Sequence, residues 1–379
     1  MKKRFLAIVC LTFVALSLSG CFSAYRDVPK DVGRNSYAVE KYRTTMQYYD
    51  DFKILQIADL HFGIETDIGA QLEILKSNIR NEKPDLIILT GDNFMYATKG
   101  IVRALVSALN EECRLLTEER GGRLTKFTLT FGNHDNQGDY PRYFINDVVS
   151  SYATEDGDEI KDSKFAAFID FPDDNIFGLT NFYIDLVDDR TKTRGEVDVK
   201  YRVHIIDSNT YHFVGPDYDY DVIHEDQLNH AISIRENATD DKDYIGLAFF
   251  HIPLFEYQEA WEQYKASGGE SGVGKYNEDV LHGYENNGSY EKLREAGIVS
   301  FFCGHDHINY GDFIYTDKNG EKAIFSYGVK ATNQLYHDAE MIGYKTVTLR
   351  DISSSEFVSI ENIRESFVNA TEGYENYEK

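Results

Sequence analysis

Five short apolar runs in this chain each end in a polar motif built from Asp, His or Asn, and that repeated junction constrains the fold more than any other feature. Lys53-Ile54-Leu55-Gln56-Ile57 leads into Asp59-Leu60-His61, and Leu86-Ile87-Ile88-Leu89 into Gly91-Asp92-Asn93. Phe127-Thr128-Leu129-Thr130-Phe131 leads into Gly132-Asn133-His134-Asp135, and Ile245-Gly246-Leu247-Ala248-Phe249-Phe250 into His251-Ile252-Pro253. A fifth run, through Cys303, leads into Gly304-His305-Asp306-His307. Runs of this length read as buried strands. The pattern therefore predicts a sheet with imidazole, carboxylate and amide groups gathered along one edge, which packing alone does not require.

The mixture of donors points to metal chemistry. Carboxylate, imidazole and amide oxygen together suit Mn²⁺, Fe or Zn²⁺, whereas Ca²⁺ takes oxygen alone and structural zinc recruits thiolates. In Asp59-x-His61 strand alternation sends both side chains to one face, so one ion can take both, and His305 and His307 share that geometry. Asp92 stands alone at its strand end, after a glycine that lets the backbone turn. An isolated carboxylate among histidines suits a bridge between two cations about 3.5–4 Å apart, a pairing that generates hydroxide at neutral pH and clamps a phosphoryl group in line with it.

Taken in order, Asp-x-His, Gly-Asp-Asn, Gly-Asn-His-Asp, His-x-Pro and Gly-His-x-His resemble the calcineurin-like metallophosphoesterase superfamily over roughly residues 50–350. The resemblance implies a four-layer αββα sandwich of two mixed β-sheets flanked by helices. It implies two divalent ions (Mn, Fe or Zn), the first held by Asp59, His61, Asp92 and His307, the second by Asp92, Asn133, His251 and His305. It further implies attack on phosphorus by a metal-bound hydroxide, His134 as the acid that protonates the leaving oxygen, and Asp135 as the residue that orients the His134 ring. Purple acid phosphatases are similar but carry glycine where this chain has His61, and tyrosine where it has Met95; Tyr96 is one position late. Ile205 to Tyr211 and the acidic Tyr218-Asp219-Tyr220-Asp221 resemble, less specifically, a phosphatase-like branch.

The remaining histidines carry less. His204 alternates with apolar residues and is expected to be a satisfied or solvent-facing strand residue. His224, His230, His282 and His337 are expected on the surface, and His212 is a candidate for lining the pocket.

The N-terminus addresses location. Lys2-Lys3-Arg4 is a basic start, Phe5 to Leu18 an apolar stretch short for a bilayer span, and Leu18-Ser19-Gly20-Cys21 resembles the lipobox of bacterial lipoproteins. Residues 1–20 are then a lipoprotein signal peptide, and Cys21 becomes the lipid-bearing first residue. Residues 21–42 form a tether, 43–364 the metallophosphoesterase domain and 365–379 a polar tail. The expected location is the bacterial cell envelope, outside the cytoplasm, with the lipid on Cys21 as membrane partner. The other cysteines that remain, Cys113 and Cys303, suggest no disulfide framework. A formal charge of -25, much of it clustered in Glu155 to Asp162, Asp170 to Asp174, Asp217 to Asp226 and Asp240 to Asp243, makes nucleic-acid polymers poor substrates.

Ile68, Leu72, Leu75 and Ile79 repeat at helical spacing and stop near Pro84; Ile101, Leu105, Leu109, Cys113 and Leu116 repeat before Gly121-Gly122. Beyond about Phe313 the chain reads as strands, through Ala323 to Tyr327 and Tyr344 to Leu349. The stretch 256–288 falls between two ligand motifs and reads as a substrate-selecting lid or a plain surface insertion. The leading function is hydrolysis of phosphate monoesters, with a small phosphate ester as substrate. The alternatives are a phosphodiesterase acting on cyclic nucleotides or glycerophosphodiesters, and a metal-free binding lipoprotein.

Overall fold

The computed structural model describes residues 39–138, 141–153, 164–170, 176–188, 198–237, 243–350 and 358–367. The signal segment, Cys21 and most of the tether lie outside the described residues, as do the acidic run Glu155 to Asp162 and the chain after Phe367.

The first half alternates strands with helices: β1 (Arg43–Gln47), β2 (Phe52–Ile57), α1 (Ile68–Glu82), β3 (Leu86–Thr90), α2 (Lys99–Glu119), β4 (Lys126–Thr130) and α3 (Arg142–Ser150). Then come β5 (Asn181–Val187), β6 (Val199–Ile206), β7 (Tyr211–Val214), β8 (Asp217–Tyr220), α4 (Glu225–Asn237), β9 (Ile245–Phe249) and α5 (Glu256–Ala266). The chain finishes with β10 (Gly272–Tyr276), α6 (Ser289–Glu295), β11 (Ile298–Cys303), β12 (Asn309–Thr316), β13 (Lys322–Tyr327), β14 (Gly343–Leu349) and β15 (Ile363–Phe367). Helix α1 starts where Asp67 accepts from the N–H of Ala70 and stops at Lys83 in the left-handed region, just before Pro84; α2 starts at a Thr98 cap.

One mixed sheet runs β15-β14-β2-β3-β4 and the other β1-β5-β6-β9-β11-β13-β12-β10, with β7 and β8 forming a separate hairpin. Both faces of the larger sheet are covered, as alternation along its strands shows. Ile245, Leu247 and Phe249 of β9 join the core that also holds Ile54, Ile87 and Leu129 of the smaller sheet and Leu75 and Leu105 of α1 and α2. Ala248 and Phe250 join a second core with Leu228 of α4, Tyr257 of α5 and Leu293 of α6. This is the four-layer sandwich. Each fully buried side chain of this kind contributes about 1.5–3 kcal/mol relative to exposure. Buried polar groups stitch the sheets together: the Gln56 amide donates to the Cys303 carbonyl at 2.9 Å, and the Thr130 hydroxyl to the Ile206 carbonyl at 2.9 Å.

Strands β2, β3 and β4 are mutually parallel, and so are β9, β11 and β13, which brings their C-terminal ends to common edges. That is where the polar motifs sit.

Several expectations need correction. Val39 and Tyr42 are buried, so the folded part begins before the expected end of the tether. At the other end β15 continues through Phe367, past the boundary drawn at residue 364, because Glu365 and Ser366 pair with Lys345 and Tyr344 of β14. His204 is buried rather than solvent-facing, and its Nε2 has no hydrogen-bond partner; β6 lies inside the larger sheet, covered on both faces. His230 is buried on α4, edge-on to the Tyr42 ring with Nε2 3.2 Å from the Asn181 carbonyl. The stretch 256–288 is no free lid: Tyr257 of α5 is fully buried, β10 closes the edge of the larger sheet, and the segment after Tyr276 is tied to the loop that carries His305 and His307 through Leu281 N–H to Asp306 and Ile308 N–H to Glu278.

Candidate metal centre

The backbone at these strand ends is unusual. Asp59, His61, Asp92 and His305 all have positive φ, at 57°, 49°, 48° and 85°. Such conformations cost of order 1–3 kcal/mol each and persist where the surroundings over-determine them. Here the loops are zipped together: His61 N–H donates to the Asp92 carbonyl at 2.8 Å and Phe62 N–H to the Asn93 carbonyl at 3.0 Å. The glycines have specific work. A Cβ on Gly91 would meet the His251 ring at 2.6 Å, and one on Gly132 would meet Asp92 Oδ1 at 2.3 Å.

The side chains converge in two overlapping groups. Donor atoms of Asp59, His61, Asp92 and His307 lie within 4.8 Å of one another, and so do those of Asp92, His251 and His305. In the first, His61 Nε2 is 3.0 Å from His307 Nε2, and both approach Asp59 Oδ1, at 3.9 and 3.7 Å. In the second, His251 Nε2 is 3.1 Å from Asn133 Oδ1, 3.2 Å from His305 Nδ1 and 3.2 Å from Asp92 Oδ2. Asp92 Oδ2 also faces His61 Nε2 at 3.7 Å, so a single oxygen borders both groups. Its partner Oδ1 accepts the backbone N–H of His134 at 2.8 Å.

These separations fit cations. Donors about 2.0–2.2 Å from one ion stand roughly 3 Å apart, as His61 and His307 do. Burial, first among the causes, holds the His61 and His305 rings far below the usual histidine range and pushes His307 down to about 3, so each neutral ring has a lone pair to offer an ion. Among the candidate ligands His251 is pushed up, to about 9: burial opposes its charge, but the Asp92 carboxylate outweighs it. Asp92 is conversely held well below the carboxylate range, since His251 and the neighbouring histidines overcome its burial. Without an intervening cation His61 and His307, both neutral, would bring two ring nitrogens within 3.0 Å of each other. The outer nitrogens of two rings are anchored, His251 Nδ1 on the Thr90 carbonyl and His307 Nδ1 on that of Tyr336, both at 2.9 Å.

His134 stands apart from both groups. Its ring is edge-on to His61 at 5.1 Å between centroids, its Nε2 is 4.0 Å from Asp92 Oδ2, and its side chain is 26% exposed. Asp135 does not orient that ring. Its Oδ1 accepts the N–H of Phe94 and its Oδ2 that of Gly132, both at 2.8 Å, with Asn93 Nδ2 at 3.2 Å, while His134 Nδ1 has no partner. The turn after β4 folds the carboxylate inward, where it ties together the loops after β3 and β4.

Residues 52–309 match the calcineurin-like phosphoesterase family model. The chain belongs to that family. It is 28% identical over 291 residues to phosphatase DCR2 of Saccharomyces cerevisiae, covering 72% of this chain but 46% of the yeast protein. This chain thus spans about half the length of that relative. It is 26% identical over 312 residues to probable inactive purple acid phosphatase 28 of Arabidopsis thaliana, covering 75% of this chain and 71% of the plant one. A dimetal phosphatase structure from Danio rerio covers 84% of this chain and 100% of its own at TM-score 0.41 and 10% identity. In this member of the calcineurin-like phosphoesterase family the Asp and His groups fit two divalent ions. In this phosphoesterase Tyr96 is half exposed, at positive φ.

Three contacts of the phosphoesterase site were not expected. Lys330 is buried, and its Nζ donates to the Asp59 carbonyl at 3.0 Å. Tyr211 OH accepts from Asn133 Nδ2 at 2.7 Å. Tyr220 stands edge-on to His305, at 4.3 Å between centroids. Lys330 follows the end of β13 as the histidines follow theirs, a signal that could have found it. His212 does not line the pocket: it stacks on Tyr284 at 3.8 Å, on the other face of the hairpin from Tyr211.

Proposed function

We propose that the protein hydrolyses small phosphate monoesters with two divalent ions, chosen among Mn²⁺, Fe²⁺ and Zn²⁺, and works outside the cytoplasm on a lipid anchor at Cys21. The observation that carries the chemistry is Asp92 Oδ2, one oxygen bordering both donor groups, with the His134 ring beside it and outside both. Asp59, His61, Asp92 and His307 would hold one ion, and Asp92, Asn133, His251 and His305 the other. Bound there, the ions supply positive charge to the phosphoryl group and a nucleophile at neutral pH.

The chain's own residues do the rest. Asp92 sets the spacing, because one carboxylate oxygen serves both groups. Tyr211 keeps the Asn133 amide turned with its oxygen inward, toward His251 Nε2. His134, held by its backbone N–H on Asp92 Oδ1, presents Nε2 where it can give a proton to the leaving oxygen. Two ions match the charge of a monoester dianion. Among the described residues Lys330 is the lysine or arginine that contacts a candidate ligand, and its Nζ is turned to a backbone carbonyl, not the pocket.

The test is turnover of alkyl and aryl monoesters and of a matched diester by wild type and His134→Ala, with metal content measured alongside. General acid catalysis contributes roughly 10²–10⁴ in rate. The variant should keep both metals, lose most activity on an alkyl monoester and lose distinctly less on p-nitrophenyl phosphate, whose leaving group needs no proton. Faster wild-type turnover of the diester would overturn the monoesterase reading, and loss of a metal in the variant would make His134 a ligand.

A further inference from the structure

The β7–β8 hairpin has one wholly aromatic face. Its antiparallel register pairs Tyr211 with Tyr220 and Phe213 with Tyr218, so these four side chains share a face, while His212, Asp217 and Asp219 take the other. The rings form a contiguous cluster: Tyr211 meets Tyr218 at 5.2 Å and Tyr220 at 5.9 Å, and Phe213 meets Tyr218 at 6.1 Å. The inner pair touches candidate metal ligands, Tyr211 through Asn133 and Tyr220 through His305. The outer pair is in solvent, with Phe213 42% and Tyr218 66% exposed. At about 3.3 Å per residue, it stands roughly 7 Å beyond the inner pair. The hairpin is held from behind, where His212 stacks on Tyr284 and the Tyr284 N–H donates to the Tyr220 carbonyl at 2.9 Å.

We infer that this face receives the organic part of the phosphate ester and selects flat, uncharged aromatic alcohols over small polar ones. The inference rests on the phosphate ester hydrolase reading. A phosphoryl group at the metal centre directs its ester substituent away from the ions, and the rings that begin at Asn133 and His305 run outward. Exposed aromatic surface continuous with a polar site marks a ligand groove more often than a stable solvent face.

The test uses the metal-loaded enzyme with Phe213 and Tyr218 both changed to Ser. Neither outer ring contacts a candidate ligand. Each aromatic contact is worth about two- to twelvefold, so kcat/KM on phenyl phosphate should fall roughly tenfold or more and that on glycerol phosphate less than about twofold. Calorimetric titration should show benzylphosphonate binding weakened by a similar factor and methylphosphonate binding unchanged. Tyr218→Trp, which keeps a ring, should retain the phenyl preference and guards against a folding defect. Equal changes on both esters, or wild-type enzyme that turns both over without favouring benzyl- over methylphosphonate, would overturn the inference while leaving the hydrolase reading intact. Absence of any turnover and of any phosphonate binding would overturn both.

Discussion

Tyr211 OH accepts a hydrogen bond from Asn133 Nδ2 at 2.7 Å, and this contact decides which end of the amide faces His251. Tyr211→Phe removes it while keeping the ring. Such supporting contacts are worth about 10–100-fold in metal affinity or activity. The second ion should therefore bind more weakly, seen as a lower metal-to-protein ratio on dialysis and partial rescue of turnover by excess metal. Unchanged metal affinity with lowered kcat would move the role of the phenol to the substrate.

Asp92→Asn keeps the shape of the side chain and removes the charge shared by both donor groups. Metal content should fall, and turnover should drop by orders of magnitude. A variant that retained two ions and a near-normal rate would show that Asp92 is not the bridge.

The anchor is tested separately. Wild-type protein should enter the detergent phase and incorporate labelled fatty acid, whereas Cys21→Ala should do neither. Labelling that persists in the variant would rule out the lipobox reading.

Burial pushes the Glu256 carboxyl, at the start of α5, up to about 7 from 4.5, so the folded state binds its proton more tightly than the unfolded chain. Its contribution to stability is therefore complete below about pH 4.5 and is lost as pH rises through about 7. Glu256→Gln keeps the uncharged form at every pH. Thermal melts across that window should show a smaller fall in Tm for the variant, and parallel curves would mean that Glu256 stays ionised in the folded state.

Positions on the polar edge were readable because they follow from local rules. A strand end after an apolar run places the following side chains at an edge; Asp59 and His61 lie beyond their strand with left-handed backbone, so it is the loop and not strand alternation that turns both to one side. Those rules name Asp59, His61, Asp92, Asn133, His251, His305 and His307, and the structure brings their donor atoms together. Helices α1 and α2 were equally legible, since a 3.6-residue repeat with a cap and a stop is a local signal.

What the chain alone did not reveal depends on partners far away in sequence. Asp135 is adjacent to His134, yet its carboxylate turns to Phe94 and Gly132, because buried backbone N–H groups there need an acceptor. Lys330 reaches the Asp59 carbonyl and Gln56 reaches the Cys303 carbonyl across more than two hundred residues, contacts that exist only once the sheets stack. His204 read by alternation as satisfied or solvent-facing, but period 2 specifies a face and not what covers it, and the ring is buried. The sequence by itself determined which residues reach the metal edge, since each follows directly on an apolar strand. Only the tertiary structure decided which nitrogen or oxygen each presents, and which ring stands beside it, because those choices are made by neighbours that the fold supplies.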